Sequence, residues 1–118
     1  MTTRPWPVEL KIDPAKTTLT VVFDNGDRFA LAAEYLRIES PSAEVQGHAA
    51  TQKQTVGGKK HVKIEEMEPV GNYAVRIRFD DGHDTGLYSW DWLHELGRDH
   101  GKKWAAYLTS LQAKGLER

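Results

Sequence analysis

The chain has 118 residues, of which 39% are hydrophobic and 28% charged, with a formal net charge of −1. This length fits one domain over residues 1–118, and the near-neutral charge favours neither nucleic acid nor an anionic membrane as partner. The absence of cysteine excludes disulfides, thiolate ligands to zinc or iron–sulfur clusters, and a cysteine nucleophile. Because no apolar run resembles a signal peptide or a bilayer-spanning helix, we expect a cytoplasmic protein.

Alternating apolar residues predict three strands in the first third of the chain, in "VELKI", "TLTVVF" and "RFALA". The residues expected to face inward are Val8, Leu10, Ile12, Leu19, Val21, Phe23, Phe29 and Leu31. Asn25-Gly26 predicts a two-residue hairpin turn, because both residues tolerate positive φ. "AAEYLRI" then predicts a short helix that ends at "SPS".

Residues 46–61, "QGHAATQKQTVGGKKH", contain almost no apolar side chains. Gly47, Gly57 and Gly58 favour a mobile loop or a loose hairpin. The basic end of the segment is compatible with binding phosphate or an acidic partner, and equally with a solvated loop. It is not a P-loop, because the G-x-x-x-x-G-K-[ST] pattern is absent.

Two further strands are predicted in "VKIEEMEPV" and "YAVRIRF", and Asp81-Gly82 predicts a second hairpin turn. "SWDWLHELG" predicts a short helix with Ser89 as N-cap and Gly97 as its left-handed end. A final helix is predicted over 99–114, stopped by Gly115. Its apolar stripe consists of Trp104, Tyr107, Leu108 and Leu111.

The two hairpin segments resemble each other. Each begins with Phe-Asp-x-Gly, at Phe23 and at Phe79, and has a leucine eight residues later, Leu31 or Leu87. Each ends in an aromatic residue followed by leucine, with one extra residue in the second copy. The sequence therefore predicts an α+β fold: a small antiparallel sheet from two duplicated hairpin–helix units, covered on one face by helices, plus a C-terminal helix.

His83 is the first candidate for chemistry, because aspartates flank it and a carboxylate could orient it as a base or a metal ligand. In the repeat, however, it occupies the turn position that Asp27 holds in the first copy. Tyr88, Trp90 and Trp92 are compatible with core packing and with a partner surface. No G-x-S-x-G, G-x-G-x-x-G, H-E-x-x-H or H-x-D/E oxygenase element is present, so we expect no enzymatic activity.

The stretch "YAVRIRFDDGHDTGLYSWDWLHELG", preceded by "EYLRIESPSAEV", resembles the DUF971 family, also called the γ-butyrobetaine hydroxylase-like N-terminal domain. The resemblance implies a domain that stands alone in bacteria with no assigned reaction. It also implies relatives that precede the catalytic domain of γ-butyrobetaine and trimethyllysine hydroxylases, or are appended to iron–sulfur Mrp-type ATPases in plants.

In the hydroxylases this domain holds structural zinc through three cysteines and one histidine. The resemblance places His83 at the histidine and Ser40, Ser42 and Val45 at the cysteines. Because these three residues cannot supply thiolates, the resemblance implies that the zinc site is lost, that His83 is its remnant and that the protein needs no cofactor.

The function expected from the sequence is that of a non-catalytic accessory or protein-interaction module. Its partner is unidentified, with an iron–sulfur or oxygenase protein suggested by the resemblance. The residues expected at its interaction surface are Lys59, Lys60, His61, His83, Tyr88 and Trp92. Two alternatives remain open: a metal-binding protein that uses His83 with His48, His61 or nearby aspartates, and a small-molecule binder with a cleft between the duplicated units.

Overall fold

The computed structural model of the chain describes residues 5–46 and 53–118. Over these two ranges, two separate three-stranded antiparallel sheets and four helices form the expected α+β fold. The elements in chain order are β1 (Pro7–Ile12), β2 (Thr18–Phe23), β3 (Arg28–Ala32), α1 (Ala33–Ile38), α2 (Ala43–Gln46), β4 (Ile64–Val70), β5 (Ala74–Phe79), β6 (Gly86–Ser89), α3 (Trp90–Arg98) and α4 (His100–Ala113). No helix in these ranges is long and apolar enough to cross a membrane.

The predicted duplication is confirmed, and it extends to the first strand of each unit. Each unit is a three-stranded meander followed by a helix: β1-β2-β3-α1 and β4-β5-β6-α3. The first strand of each carries an irregularity in pairing at the same place, between Pro7 and Glu9 and between Ile64 and Glu66. A bulge at the same place in both copies shows that the two units share local backbone geometry as well as strand order.

The structural alignment of the two units differs from the sequence prediction at one position. In β3, Leu31 is buried opposite Leu19, and the residue in the equivalent place in β6 is Tyr88, opposite Val75. Leu87 is exposed. The extra residue of the second unit therefore lies between the turn and β6, not after the leucine.

Both hairpin turns contain three residues, so the predicted two-residue turns are wrong. The amide of Gly26 donates to the carbonyl of Phe23 (3.0 Å), and the amide of Phe23 donates to the carbonyl of Asp27 (2.8 Å). Gly26 has φ +92° and Asn25 has no positive φ, which is the pattern of a type I turn followed by a left-handed glycine. The second hairpin repeats these bonds at Phe79, Gly82 and His83.

The positions of three residues also differ from expectation. Val8 is exposed, because the bulge of β1 interrupts the alternation. Leu108 is exposed on α4, while its neighbours Tyr107 and Leu111 are buried. Gly97 does not end α3 but lies inside it, where an added Cβ would come within 2.2 Å of the Phe29 ring. Glycine is needed there for close packing.

The two units contact each other reciprocally. Tyr35 of α1 donates its hydroxyl hydrogen to the carbonyl of Leu96 (2.7 Å), and Trp92, its equivalent in α3, donates its indole N–H to the carbonyl of Glu39 (3.0 Å), the equivalent of Leu96. Such paired contacts define a two-fold relation in symmetric dimers. The chain is therefore an internal pseudo-dimer with an approximate two-fold axis between α1 and α3.

The helix of each unit also binds the hairpin turn of the other. Arg37 of α1 donates to Asp81 of the second turn (2.8 Å), and its equivalent His94 lies 2.7 Å from Asp27 of the first. One hydrophobic cluster joins both sheets with α1, α3 and α4. Its fully buried large side chains are Tyr35, Tyr88, Phe23, Phe79, Leu19, Leu31, Leu36, Ile38, Ile64, Ile77, Leu93 and Leu96.

Candidate functional site

His83 lies in a buried hydroxyl cluster beside the end of α1. Its Nε2 is 2.9 Å from Oγ of Ser40, and the amide of Ser42 donates to the same Oγ (3.3 Å). The hydroxyls of Ser42 and Thr85 are 2.7 Å apart. The structure thus brings Ser40, Ser42 and His83 side by side, as the sequence resemblance would place them.

This cluster does not suit zinc or catalysis. Serine hydroxyls are weak zinc ligands compared with thiolates, and Ser40 and Ser42 already take part in hydrogen bonds. Among the residues that the structure describes, no group of three or more His, Asp or Glu side chains is placed to hold a metal ion. Ser40 is 0% exposed and His83 is 7% exposed, so no substrate reaches this Ser–His pair.

The carboxylate of Asp81, at the second turn, accepts hydrogen bonds from three donors. Arg37 (2.8 Å), Lys59 (2.6 Å) and the amide of His83 (3.0 Å) all bind its carboxylate. Partial burial alone would raise the pKa of Asp81, but the hydrogen bonds from Lys59, His83 and Arg37 outweigh it and hold the pKa at about 2. Lys59 is therefore committed to an internal ion pair.

The predicted interaction residues do not form one surface. Tyr88 is completely buried, and its hydroxyl binds the carbonyl of Leu36, so its assignment as a contact residue is wrong. Burial of His83 excludes it in the same way. Lys60 and His61 are exposed, and Trp92 is partly buried. His48, in the metal-binding alternative, falls outside the described residues.

A basic groove, here called the lysine groove, runs along α4. It encloses about 460 Å³. Four lysines and two acidic residues line it, together with apolar and hydroxyl-bearing side chains: Lys53, Lys102, Lys103, Lys114, Glu39, Asp99, Ile38, Ala106, Tyr107, Ser110, Thr55 and Gln54. The local charge is therefore positive in a chain whose net charge is −1.

Specific contacts hold the walls of the lysine groove in place. Buried Glu39 pairs with Lys53, which ties the segment after the undescribed residues to the end of α1. Lys103 pairs with Glu95 (3.1 Å), and its Nζ lies 4.9 Å from the centre of the Trp92 ring. The hydroxyl of Tyr107 donates to the carbonyl of Val56 (2.8 Å), and burial raises the pKa of this tyrosine.

Sequence reasoning singled out residues 46–61, which contain Lys53, but missed Lys102, Lys103 and Lys114. The available signal was their spacing: Asp99, Lys103, Ala106, Ser110 and Lys114 recur every three or four residues, which places them along one helix face. The prediction that α4 packs through its apolar stripe drew attention to the neighbouring face, which shares Tyr107 with the groove.

A second cavity, here called the aromatic cleft, lies between the start of β1 and the second unit. It encloses about 330 Å³ and is lined by Pro5, Trp6, Tyr73, Ser89, Trp90 and Asp91. The Trp6 and Trp90 rings meet edge to face, with centroids 6.1 Å apart and planes at 67°. Sequence reasoning missed Trp6, which belongs to no apolar pattern, and Tyr73, which begins the predicted strand "YAVRIRF" in phase with its inward-facing residues.

Residues 10–94 match the family described as γ-butyrobetaine hydroxylase-like, N-terminal. The chain belongs to this family. Two solved NMR structures resemble this γ-butyrobetaine hydroxylase-like N-terminal domain over nearly its whole length. One is 45% identical, with a TM-score of 0.83, and covers 100% of this chain and 90% of its own. The other is 41% identical, with a TM-score of 0.84, and covers 98% and 91%.

A crystal structure from Acidithiobacillus ferrooxidans is also similar to this γ-butyrobetaine hydroxylase-like N-terminal domain. That protein belongs to the DUF971 family and is described as having unknown function. It is 36% identical, with a TM-score of 0.65, over 77% of this chain and 91% of its own. No curated protein matches the chain. These relatives establish family and fold, and they name no reaction.

Proposed function

We propose that this domain is a non-catalytic interaction module that binds an acidic segment of a partner protein in the lysine groove. The observation that carries the proposal is the convergence of four lysines on one cavity of about 460 Å³. The family resemblance supports an iron–sulfur or oxygenase protein as the partner.

The shape of the lysine groove suits a segment of chain better than a small anion. Lys102 and Lys114 both belong to its lining, and at 1.5 Å per residue their positions on α4 lie roughly 18 Å apart. An extended peptide of about five or six residues spans that distance. The exposed apolar side chain of Ala106 in the lining adds contact area that a purely electrostatic surface would lack.

The test is a titration of the isotopically labelled protein with a penta-glutamate peptide, followed by NMR. We expect shifts along α4 and at residues 53–55, weakening as salt is raised. Lys102→Glu with Lys114→Glu should lower the affinity at least tenfold, because both side chains are exposed and line the groove. The Lys11→Glu, Lys60→Glu double variant makes the same charge change on two exposed lysines that do not line the groove, and is the matched control.

An equal loss of affinity in the control double variant and in the groove double variant would show attraction to net charge alone and would contradict the proposal. So would peptide-induced shifts confined to residues outside α4 and 53–55.

A further inference from the structure

Two of the four lysines in the lysine groove already have anionic partners. Lys53 forms an ion pair with Glu39, whose side chain is buried. Lys103 forms an ion pair with Glu95 (3.1 Å), and its Nζ lies over the Trp92 ring. A carboxylate from a partner gains less from a lysine whose charge is already balanced than from an unpaired one. These two lysines therefore hold the groove together more than they attract a ligand.

Lys102 and Lys114 carry the charge that is open to a ligand. Both are exposed, and in the part of the chain that the structure describes neither side chain forms an ion pair or a hydrogen bond. Asp99 lies nearby, but its ion pair is with Arg98 (3.0 Å). Arg98 is also the main cause of the lowered pKa of Asp99, and Lys102 is a minor one. The unpaired positive charge of the groove thus comes from two side chains.

These two unpaired lysines lie at opposite ends of the groove. At 1.5 Å per residue, their positions on α4 are roughly 18 Å apart. Between them the helix contributes Ala106, Tyr107 and Ser110 to the lining, and none of these side chains is charged at neutral pH. Along α4 the groove is therefore basic at its two ends and neutral in its middle.

An extended peptide reaches both ends only when its acidic residues are far apart. An extended chain rises about 3.3 Å per residue, with alternate side chains on opposite faces. Acidic residues at positions i and i+6 therefore face the same way and lie about 20 Å apart, and the flexible lysine stems adjust to the remaining difference. A short run of adjacent acidic residues reaches one end of the groove at a time.

We propose that the lysine groove selects a partner segment with acidic residues at both ends and about five uncharged residues between them. This inference rests on the proposed function of the groove and adds the spacing of the acidic residues. The acidic ends pair with Lys102 and Lys114. The uncharged middle lies along Ala106 and Ser110, where an acidic side chain would meet no unpaired lysine. Charge at two separated points also fixes the register of the segment.

The test compares two nonapeptides of identical composition by NMR titration of the isotopically labelled protein at low salt. The split peptide is Ac-Glu-Glu-Ser-Ala-Ser-Ala-Ser-Glu-Glu-NH2, and the central peptide is Ac-Ser-Ala-Ser-Glu-Glu-Glu-Glu-Ala-Ser-NH2. We expect the split peptide to bind at least threefold more tightly and to shift signals at both ends of α4. Because the two peptides carry the same charge, attraction to net charge alone gives equal affinities.

Single substitutions separate the spacing from the number of charges. Lys102→Ala and Lys114→Ala should each abolish the preference for the split peptide, because one remaining end binds both peptides alike. Ala106→Lys places a cation in the neutral middle, and should strengthen the central peptide more than the split one. Lys60→Ala, which removes an exposed lysine outside the groove, should keep the preference and is the control.

The outcomes distinguish this inference from the proposed function. Equal binding of the two nonapeptides, while penta-glutamate still binds along α4, would overturn the spacing and leave the proposed function standing. Failure of all three peptides to bind along α4 would overturn both. A preference for the split peptide that survives in Lys114→Ala would also contradict the inference. Tighter binding of hexathymidylate than of the split peptide at the same signals would assign the groove to a phosphate backbone instead.

Discussion

At the scale of single residues, the contact between Ser40 and His83 shows how a buried polar pair contributes to stability. The pair joins the segment after α1 to the second hairpin turn through a 2.9 Å contact. Both side chains are buried, and a buried polar group left without its partner costs more than the bond itself contributes.

We expect His83→Ala to lower the free energy of unfolding by about 1–3 kcal/mol, because it leaves the Ser40 hydroxyl without its imidazole partner. Urea denaturation measures the change. The Ser40→Ala, His83→Ala double variant should lose less than the sum of the two single variants. A chelator should leave the melting temperature unchanged. A melting temperature lowered by chelation would instead restore the metal-binding alternative.

Asp81 should make the free energy of unfolding depend on pH in the acid range. Its folded pKa of about 2 lies below the ordinary value of 3.8, so its contribution is present above about pH 4 and is lost as pH falls towards 2. We expect Asp81→Asn to cost about 1 kcal/mol at pH 7, because solvent screens a carboxylate that is only partly buried. The difference between wild type and variant should shrink as pH falls through 2 and disappear below it. Urea denaturation at several pH values measures it, and a pH-independent difference would contradict this account.

At the scale of elements, α3 contains a glycine, Gly97, that is required by its close packing against Phe29 of β3. An alanine at position 97 gains about 1 kcal/mol of helix propensity, but its Cβ would overlap the Phe29 ring. We expect the overlap to dominate, and Gly97→Ala to destabilise the protein by roughly 1–3 kcal/mol. Gly101→Ala in α4, where a Cβ meets no atom within 4 Å, is the control and should be neutral or stabilising. Thermal denaturation of both variants decides between propensity and packing.

The elements that sequence predicted best are those set by local chemistry. Ser89 caps α3 by accepting a hydrogen bond from the amide of Trp92 (3.1 Å), and Gly115, with φ +66°, follows α4 as expected. Gly97 was misassigned because the ring that requires a glycine lies in β3, far away in sequence. Val8 was misassigned because alternation does not reveal a bulge.

The candidate sites were less predictable for the same reason. The lysine groove and the aromatic cleft each combine residues that are far apart in the sequence. No pattern within one segment shows that Trp6 meets Trp90, or that Lys53 lies across from α4. The repeat did show that two units exist. It did not show that the helix of each unit contacts the hairpin turn and a helix carbonyl of the other.

At the scale of the whole molecule, the contacts that each helix makes with the opposite unit couple the two units. Tyr35 and Trp92 each donate to a carbonyl of the opposite unit, and α4 packs its buried Tyr107 and Leu111 into the shared core. Each unit therefore loses part of its helix contacts if the other unfolds.

We therefore expect a single cooperative unfolding transition. Circular dichroism, tryptophan fluorescence and the signals of both sheets in NMR should give coincident urea midpoints. A state in which β4-β5-β6 persists after β1-β2-β3 has unfolded would contradict the coupling. The Tyr35→Phe and Trp92→Phe variants should each lower the midpoint for both sheets, not only for the sheet of the mutated unit.

The internal two-fold relates positions that carry different side chains, so the two related surfaces of the molecule are not equivalent. A dimer of two identical chains carries every surface twice and must place the same residue at both equivalent positions. In the fused chain those positions differ. The amide of Ala33 donates to the carbonyl of Thr17 (2.8 Å), and in the equivalent bond the amide of Trp90 donates to the carbonyl of Tyr73 (3.2 Å), so tryptophan and tyrosine stand where the first unit has alanine and threonine. Each face is thus presented once per chain, so recognition of one face fixes one orientation on that chain.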